Sequence, residues 1–195
     1  MTQLIKVLTA VMVSVFLTAG PDMVFADDAL SYEQLSPNGK YVFVMLTKGP
    51  AKLGRVDTLK SKYECSGLYK ANNSLKPLWR VNWYSPTVHV SSDGAHLVRV
   101  GRAKVEAMNG KPDMAQLALA FYKNGKLLKR YLIGNVISAP SKLVKWGTGF
   151  RWQKRIAFDD ESGKLSVTLV TGQTKVFNIK SGLIIPDKSA ANKRR

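Results

Sequence analysis

The stretch Leu35–Leu46, which reads LSPNGKYVFVML, is the sequence feature that most constrains the fold. Its Pro-Asn-Gly segment suits a tight turn, because proline presets φ while asparagine and glycine tolerate positive φ. A second copy, VSSDGAHLVRV, follows at Val90–Val100, and alignment places Gly39 on Gly94. Two copies of one turn-and-strand unit predict an all-β protein with internal repetition.

Further apolar runs, separated by Gly and Asn turns, predict about ten short antiparallel strands in total. The candidate strands are Tyr41–Leu46, Ser66–Tyr69, Leu78–Tyr84, Val88–Val90, Ala95–Val100, Gln116–Tyr122, Leu127–Ile133, Ile156–Phe158, Lys164–Val170, Lys175–Ile179 and Leu183–Ile185. This pattern predicts either incomplete, propeller-like antiparallel sheets or a β-sandwich. A complete propeller needs at least four blades of about 40 residues. The uneven spacing of the turns counts against one.

Clean alternation in Leu78–Tyr84 predicts that Trp79 and Trp83 share one apolar face and lie in the core. The single cysteine, Cys65, cannot form an intramolecular disulfide. An unpaired thiol in an oxidising compartment is usually buried, so Cys65 is also expected in the core. An intermolecular bridge is the alternative.

The N-terminus resembles a secretory leader. Lys6 precedes the apolar run Val7–Ala19, and Val24-Phe25-Ala26 supplies small residues at a cleavage site. The pattern predicts a signal peptide over residues 1–26 and export to the periplasm or the outside of the cell. An uncleaved anchor is the alternative, although the run is shorter than the roughly 20 residues of a spanning helix. Residues 27–185 are then one β domain, and residues 186–195 a basic disordered tail.

The formal net charge of +17 restricts the choice of partners. Such an excess attracts polyanions and anionic surfaces. For an exported protein the candidates are an anionic polymer, a membrane surface or an acidic protein, and nucleic acid is not expected. A lysine-rich surface that only keeps edge strands apart is the competing interpretation. The sequence leaves the oligomeric state open.

The residues that could carry catalysis or bind a metal are few. His89 and His96 lack the converging ligands and short spacings of a zinc site. The acidic run Asp159-Asp160-Glu161 is more typical of a hairpin turn than of a calcium loop or a paired-carboxylate site. No serine-hydrolase elbow, phosphate loop or dinucleotide motif is present. We therefore expect no catalytic residues, cofactor or metal. An envelope hydrolase using Asp159, Asp160 or His89 is the rival hypothesis.

The segment Lys145–Arg155, KWGTGFRWQKR, is the best candidate for a binding site. Aromatic side chains offer stacking or interfacial anchoring, and the interleaved cations attract phosphates, sugar acids or headgroups. In the alternative, the aromatics fill the core and the cations extend outward. The candidate binding residues are Lys145, Trp146, Phe150, Arg151, Trp152, Lys154 and Arg155.

The order SPNGKYVFVML, SGLYKANNSLKPLWRVNWY, VSSDGAHLVRVGR, FYKNGKLLKRYLI and FDDESGKLSVTLVTGQTKVFNIKSGLII resembles an uncharacterised family of small exported bacterial β-rich proteins with propeller-like repeats. The resemblance covers most of Leu35–Ile185 and implies export and a β fold, without a catalytic assignment. Together these features predict an exported, non-catalytic β-domain that binds an anionic envelope component or a protein partner. A structural subunit of a larger assembly is a further alternative.

Overall fold

A computed structural model describes residues 30–49, 56–72 and 74–186. The predicted signal peptide and nearly all of the predicted tail lie outside these residues. The described chain is all-β and antiparallel, which confirms the predicted fold class. Ten of its strands have four residues or more, and seven shorter ones complete the sheets.

The first sheet, sheet 1, is a four-stranded meander at the start of the described chain. Its strands are β1 (Tyr32–Leu35), β2 (Tyr41–Met45), β3 (Gly67–Lys70) and β4 (Trp79–Arg80). Residues Val42 to Met45 of β2 are all buried, as the continuous apolar run predicts for a strand covered on both faces. Helix α1 (Thr58–Lys62) follows β2, and Leu59 packs with Tyr63 against one face of sheet 1.

Sheet 2 has the strand order β11-β10-β6-β5. Its strands are β5 (Thr87–Val90), β6 (His96–Val100), β10 (Leu117–Lys123) and β11 (Lys126–Leu132). β6 and β10 are neighbours in this sheet, and the chain between them forms β7 (Lys104–Val105) and a hairpin of β8 (Ala107–Met108) and β9 (Lys111–Pro112).

The C-terminal half supplies sheets 3 and 4. Helix α2 (Ile133–Val136) and a 3₁₀ turn (Pro140–Lys142) lead into β12 (Val144–Trp146) and β13 (Gly149–Arg151), which join β7 in sheet 3. Sheet 4 is a second complete meander. Its strands are β14 (Gln153–Asp159), β15 (Lys164–Leu169), β16 (Thr174–Asn178) and β17 (Ile184–Ile185).

The sheets pack as a layered sandwich with sheet 2 in the middle. On one side, Leu97 and Ala120 of sheet 2 pack with Phe43 and Leu68 of sheet 1. On the other side, the side chains of sheet 2 share a larger core with those of sheets 3 and 4. This second core contains Val98, Leu119, Phe121, Trp152, Leu165, Val167 and Phe177. This layered packing of antiparallel sheets agrees with the predicted sandwich.

The repeated units form matching turns at the junction of the layers. The N–H of Gly39 donates to the carbonyl of Ser36 at 2.9 Å, and that of Gly94 to Ser91 at 3.0 Å. Both glycines have φ near +65°, a region in which glycine carries no steric penalty. The residues that align in the two sequence copies therefore make the same hydrogen bond in the structure.

Three local predictions differ from the structure. Only Trp79 and Arg80 of the expected strand Leu78–Tyr84 pair with a neighbour, and the chain leaves sheet 1 after β4. Trp79 and Trp83 are partly buried against the core rather than enclosed by it. Tyr32–Leu35, expected to be a polar lead-in, forms the edge strand β1.

Candidate binding surface

The predicted binding segment forms the β12–β13 hairpin and the start of β14. Gly147 takes φ +55° at its turn. Lys145 pairs with Phe150, and Phe150 pairs in turn with Val105 of β7. Because paired residues of antiparallel strands share a face, Val144, Trp146 and Arg151 share the opposite face.

Phe150 and Trp152 belong to the interior. Trp152 is fully buried, and its Nε1–H donates to the carbonyl of Arg102 at 2.9 Å. Phe150 is half-buried and packs against the same core. These two aromatic side chains follow the alternative interpretation of the segment, in which they fill the core.

Trp146 lies at the surface. It is 40% exposed, and the guanidinium carbon of Arg151 lies 5.4 Å from the centre of its ring. Nε of Arg151 also donates to the carbonyl of Gln153 at 3.0 Å, which orients the guanidinium. Val144 is exposed beside them on the same face. The hairpin therefore presents one aromatic ring, one aliphatic side chain and one oriented cation to solvent.

The remaining cations of the segment are exposed and close along the chain. Lys145 is exposed on β12, and Lys154 and Arg155 are exposed on β14. Among the described residues, no acidic side chain forms an ion pair with these three or with Arg151. We call Lys145, Trp146, Arg151, Lys154 and Arg155 the basic hairpin surface.

Glu106 is the acid closest to this surface in sheet order, since β7 carries Lys104 and Val105 beside β13. Glu106 lies 3.8 Å from both Arg102 and Lys104. Lys104 also donates to the hydroxyl of Thr148 at 2.8 Å, at the hairpin turn. Glu106 therefore pairs with Arg102 and Lys104, and the described residues place no acidic side chain in an ion pair with the cations of the basic hairpin surface.

The two histidines both have structural partners. The ring of His89 stacks on Phe158 with centroids 5.1 Å apart, and burial lowers the pKa of His89 below its ordinary value. Nδ1 of the buried His96 lies 2.6 Å from Oδ2 of Asp93. Burial raises the pKa of Asp93, but hydrogen bonds from His96 and from the backbone outweigh it and leave this pKa below its usual value.

The acidic turn is likewise occupied by local contacts. Asp159 accepts hydrogen bonds from the N–H and hydroxyl of Ser162, which lower its pKa. Asp160 accepts from the N–H of Ser92 at 2.8 Å, which ties sheet 4 to sheet 2. Among the residues the structure describes, no three His, Cys, Asp or Glu side chains converge as a metal site would require.

A groove that the sequence did not indicate lies between sheets 1 and 2. It has a volume of about 650 Å³, and its walls include Arg80, Trp83, Tyr122 and Leu127. A second hollow of about 430 Å³ continues past Val81–Trp83 toward α1. Cys65 lines both and is half-buried, so its prediction as a core residue is wrong. The thiol is instead near the rim because the chain leaves α1 here and enters β3 two residues later.

Comparisons with protein-family models, curated proteins and solved structures found no match to this chain. The resemblance to exported β-rich proteins therefore stays a prediction. Within the described ranges, no helix is long and apolar enough to cross a bilayer.

Proposed function

We propose that this chain is an exported, non-catalytic binding module that holds an anionic envelope component on its basic hairpin surface. The ligand chemistry is a repeated array of phosphate or carboxylate groups, as carried by an anionic polymer or by lipid headgroups. The observation that carries the proposal is the exposed Trp146 ring with the Arg151 guanidinium held 5.4 Å above it.

The contrast between the two tryptophans of the segment supports a binding role for the exposed one. Trp152 is fully buried between β13 and β14, whereas the Trp146 ring is 40% exposed at the hairpin. A solvent-exposed tryptophan beside a cation supplies stacking or interfacial contact together with charge attraction. Lys145, Lys154 and Arg155, which are exposed on β12 and β14, add to the positive charge around this pair.

The non-catalytic part of the proposal is supported by the environments of the candidate catalytic groups. His89 stacks on the half-buried Phe158, and Asp159 and Asp160 accept hydrogen bonds that organise turns. A general base must reach a substrate proton in a positioned geometry. The leader-like N-terminus supports export.

Polyanion binding by the purified protein across a salt series tests the proposal. Replacing Lys145, Arg151, Lys154 and Arg155 together by glutamine should weaken retention on heparin-like resin and on vesicles containing phosphatidylglycerol. The matched control replaces the exposed Lys40, Lys70, Lys76 and Lys180 by glutamine and removes the same charge. We expect the first variant to lose at least tenfold in affinity and the control less than threefold.

The salt dependence and Trp146 separate site binding from general attraction. Cations that contact the anion release counterions, so the slope of log affinity against log salt should flatten only in the first variant. Trp146→Ala should weaken binding severalfold without changing that slope. Equal losses in both charge variants would mean that net charge alone acts, and the proposal would then be wrong. Retention by resin but not by vesicles identifies the polymer, and the reverse identifies headgroups.

A further inference from the structure

We propose that the groove between β4 and β11 is a docking site for an extended acidic peptide from a partner protein, which adds as a strand to the free edge of β11. This site is separate from the basic hairpin surface. The proposal depends on the open edge, the apolar groove beside it and the charge of the edge strand.

The edge itself is long and unpaired. β11 pairs with β10 on one side and is the last strand of sheet 2, and no described strand pairs with its other side. An edge strand carries a row of free N–H and C=O groups, which can form a ladder with an added strand. The seven residues of β11 equal the longest strands of the described chain.

Apolar side chains are exposed along this edge. Leu127 is 51% exposed and Leu128 43% exposed, next to a register shift against β10. Leu127 pairs with Tyr122, which faces sheet 1, so its side chain lies on the groove side of sheet 2. Exposed leucines on an edge strand favour association.

The groove offers contacts for the side chains of an added strand. Trp83, Tyr122 and Leu127 form its apolar wall, and Arg80 and Asn82 add polar groups. Trp83 is held in place by Tyr122, 5.1 Å away between centroids, and by the guanidinium of Arg99, 4.5 Å from its ring. The platform is therefore fixed before a ligand arrives, which reduces the entropy lost on binding.

The charge of β11 indicates which kind of peptide the groove would bind. Lys126, Lys129 and Arg130 are exposed on β11, and no described acid forms an ion pair with them. Glu64 is the one acidic side chain among the residues lining the two hollows, and it pairs with Arg80 at 3.4 Å. An acidic strand matches this edge. A second copy would bring the same three cations of each β11 close to one another across the strand pair, and like charges in such a pair are destabilising.

Fluorescence anisotropy with a labelled ten-residue peptide of alternating valine and glutamate tests the site. A control peptide has the same charge but carries two prolines, which cannot form the ladder. We expect the alternating peptide to bind at least tenfold more tightly than the proline control. It should also slow alkylation of Cys65, the single thiol, which lines the groove, and slow amide exchange across β11.

A matched pair of variants locates the peptide. Leu127→Asp should weaken binding at least tenfold, whereas Leu35→Asp should leave it within twofold. Leu35 is a suitable control because it is 56% exposed on β1, the edge of sheet 1. The glutamine variant of the basic hairpin surface should also bind the peptide within twofold of the wild type, so the two proposed sites can fail separately.

Three results would overturn the proposal. Equal binding of both peptides would mean that charge alone attracts them, and equal effects of the two aspartate variants would place the peptide elsewhere. A dimer in light scattering that dissociates with Leu127→Asp would assign the edge to a second copy. Circular dichroism of Leu127→Asp confirms that loss of binding does not come from unfolding.

Discussion

The ring of Tyr41 lies directly over Gly94, so close that a β-carbon at Gly94 would come within 2.6 Å of Cζ of Tyr41. Tyr41 begins β2 in sheet 1, and Gly94 belongs to the β5–β6 turn of sheet 2. Nε1 of Trp79 also donates to the carbonyl of Gly94 at 3.1 Å. The first copy of the repeated unit thus packs on the turn of the second.

Gly94→Ala is expected to destabilise the protein more than Gly39→Ala. Both glycines have nearly the same positive φ, but nothing lies within 4 Å of a β-carbon at Gly39. The left-handed conformation alone should cost about 1 kcal/mol in Gly39→Ala. Contact with Tyr41 should raise the cost to about 2–3 kcal/mol in Gly94→Ala. Urea denaturation of both variants measures the difference, and equal losses would mean that the tyrosine ring moves aside freely.

The repeated turns and the buried strand could be predicted from sequence because their causes are local. Asn and Gly mark the turns, and the apolar run of β2 must be covered on both faces. Strand β1 was missed because Tyr32–Leu35 lies at a sheet edge and is mostly exposed, so it lacks an apolar alternation. The departure of Val81–Trp83 from sheet 1 follows from packing against sheet 2, which no local pattern records.

For the candidate site, the sequence indicated which residue types the segment contains but not which of them are exposed. Sequence placed three aromatics among cations but could not separate the exposed Trp146 from the buried Trp152. The difference in their exposure depends on where β13 ends and on its pairing with β7. Because β7 lies more than forty residues earlier in the chain, no local pattern records this pairing. The groove at β11 was not predicted at all. Its two edge strands come from different sheets, and their approach is set by how sheet 1 packs on sheet 2.

The two tryptophans of the basic segment should respond differently to truncation. Trp152→Ala removes a fully buried side chain and leaves the carbonyl of Arg102 without its donor, so we expect a loss of about 3–5 kcal/mol. Trp146→Ala removes only a surface ring and its cation–π contact, so the loss should stay below about 1 kcal/mol. Thermal and urea unfolding check both values. A large loss in Trp146→Ala would reassign this ring to stability.

The peptide groups of Ser92 couple three turns, and this coupling can be measured. Asn38 donates to the carbonyl of Ser92 at 2.9 Å, while Asp160 accepts from its N–H at 2.8 Å. Asp160→Ala should cost about 1–2 kcal/mol because the N–H loses its acceptor, whereas Asp160→Asn retains one. Asn38→Ala combined with Asp160→Ala should depart from additivity. Strict additivity in urea unfolding would show that the turns are fixed independently.

His89 should make stability fall as the solution is acidified through the range just below neutrality. Burial lowers the pKa of His89 in the folded protein below 6.5, its ordinary value and the value expected in the unfolded chain. At a pH between the pKa of His89 in the folded protein and that in the unfolded chain, the unfolded state binds more protons. The free energy of unfolding therefore increases as the pH rises and decreases as the pH falls. Asp57, Asp93 and Asp159 have pKa values below 3.8 and act only at lower pH. We expect urea unfolding to show declining stability between about pH 7 and pH 5. The His89→Phe variant, which keeps a ring against Phe158, should be flat over this range, and an unchanged slope in that variant would assign the effect to another group.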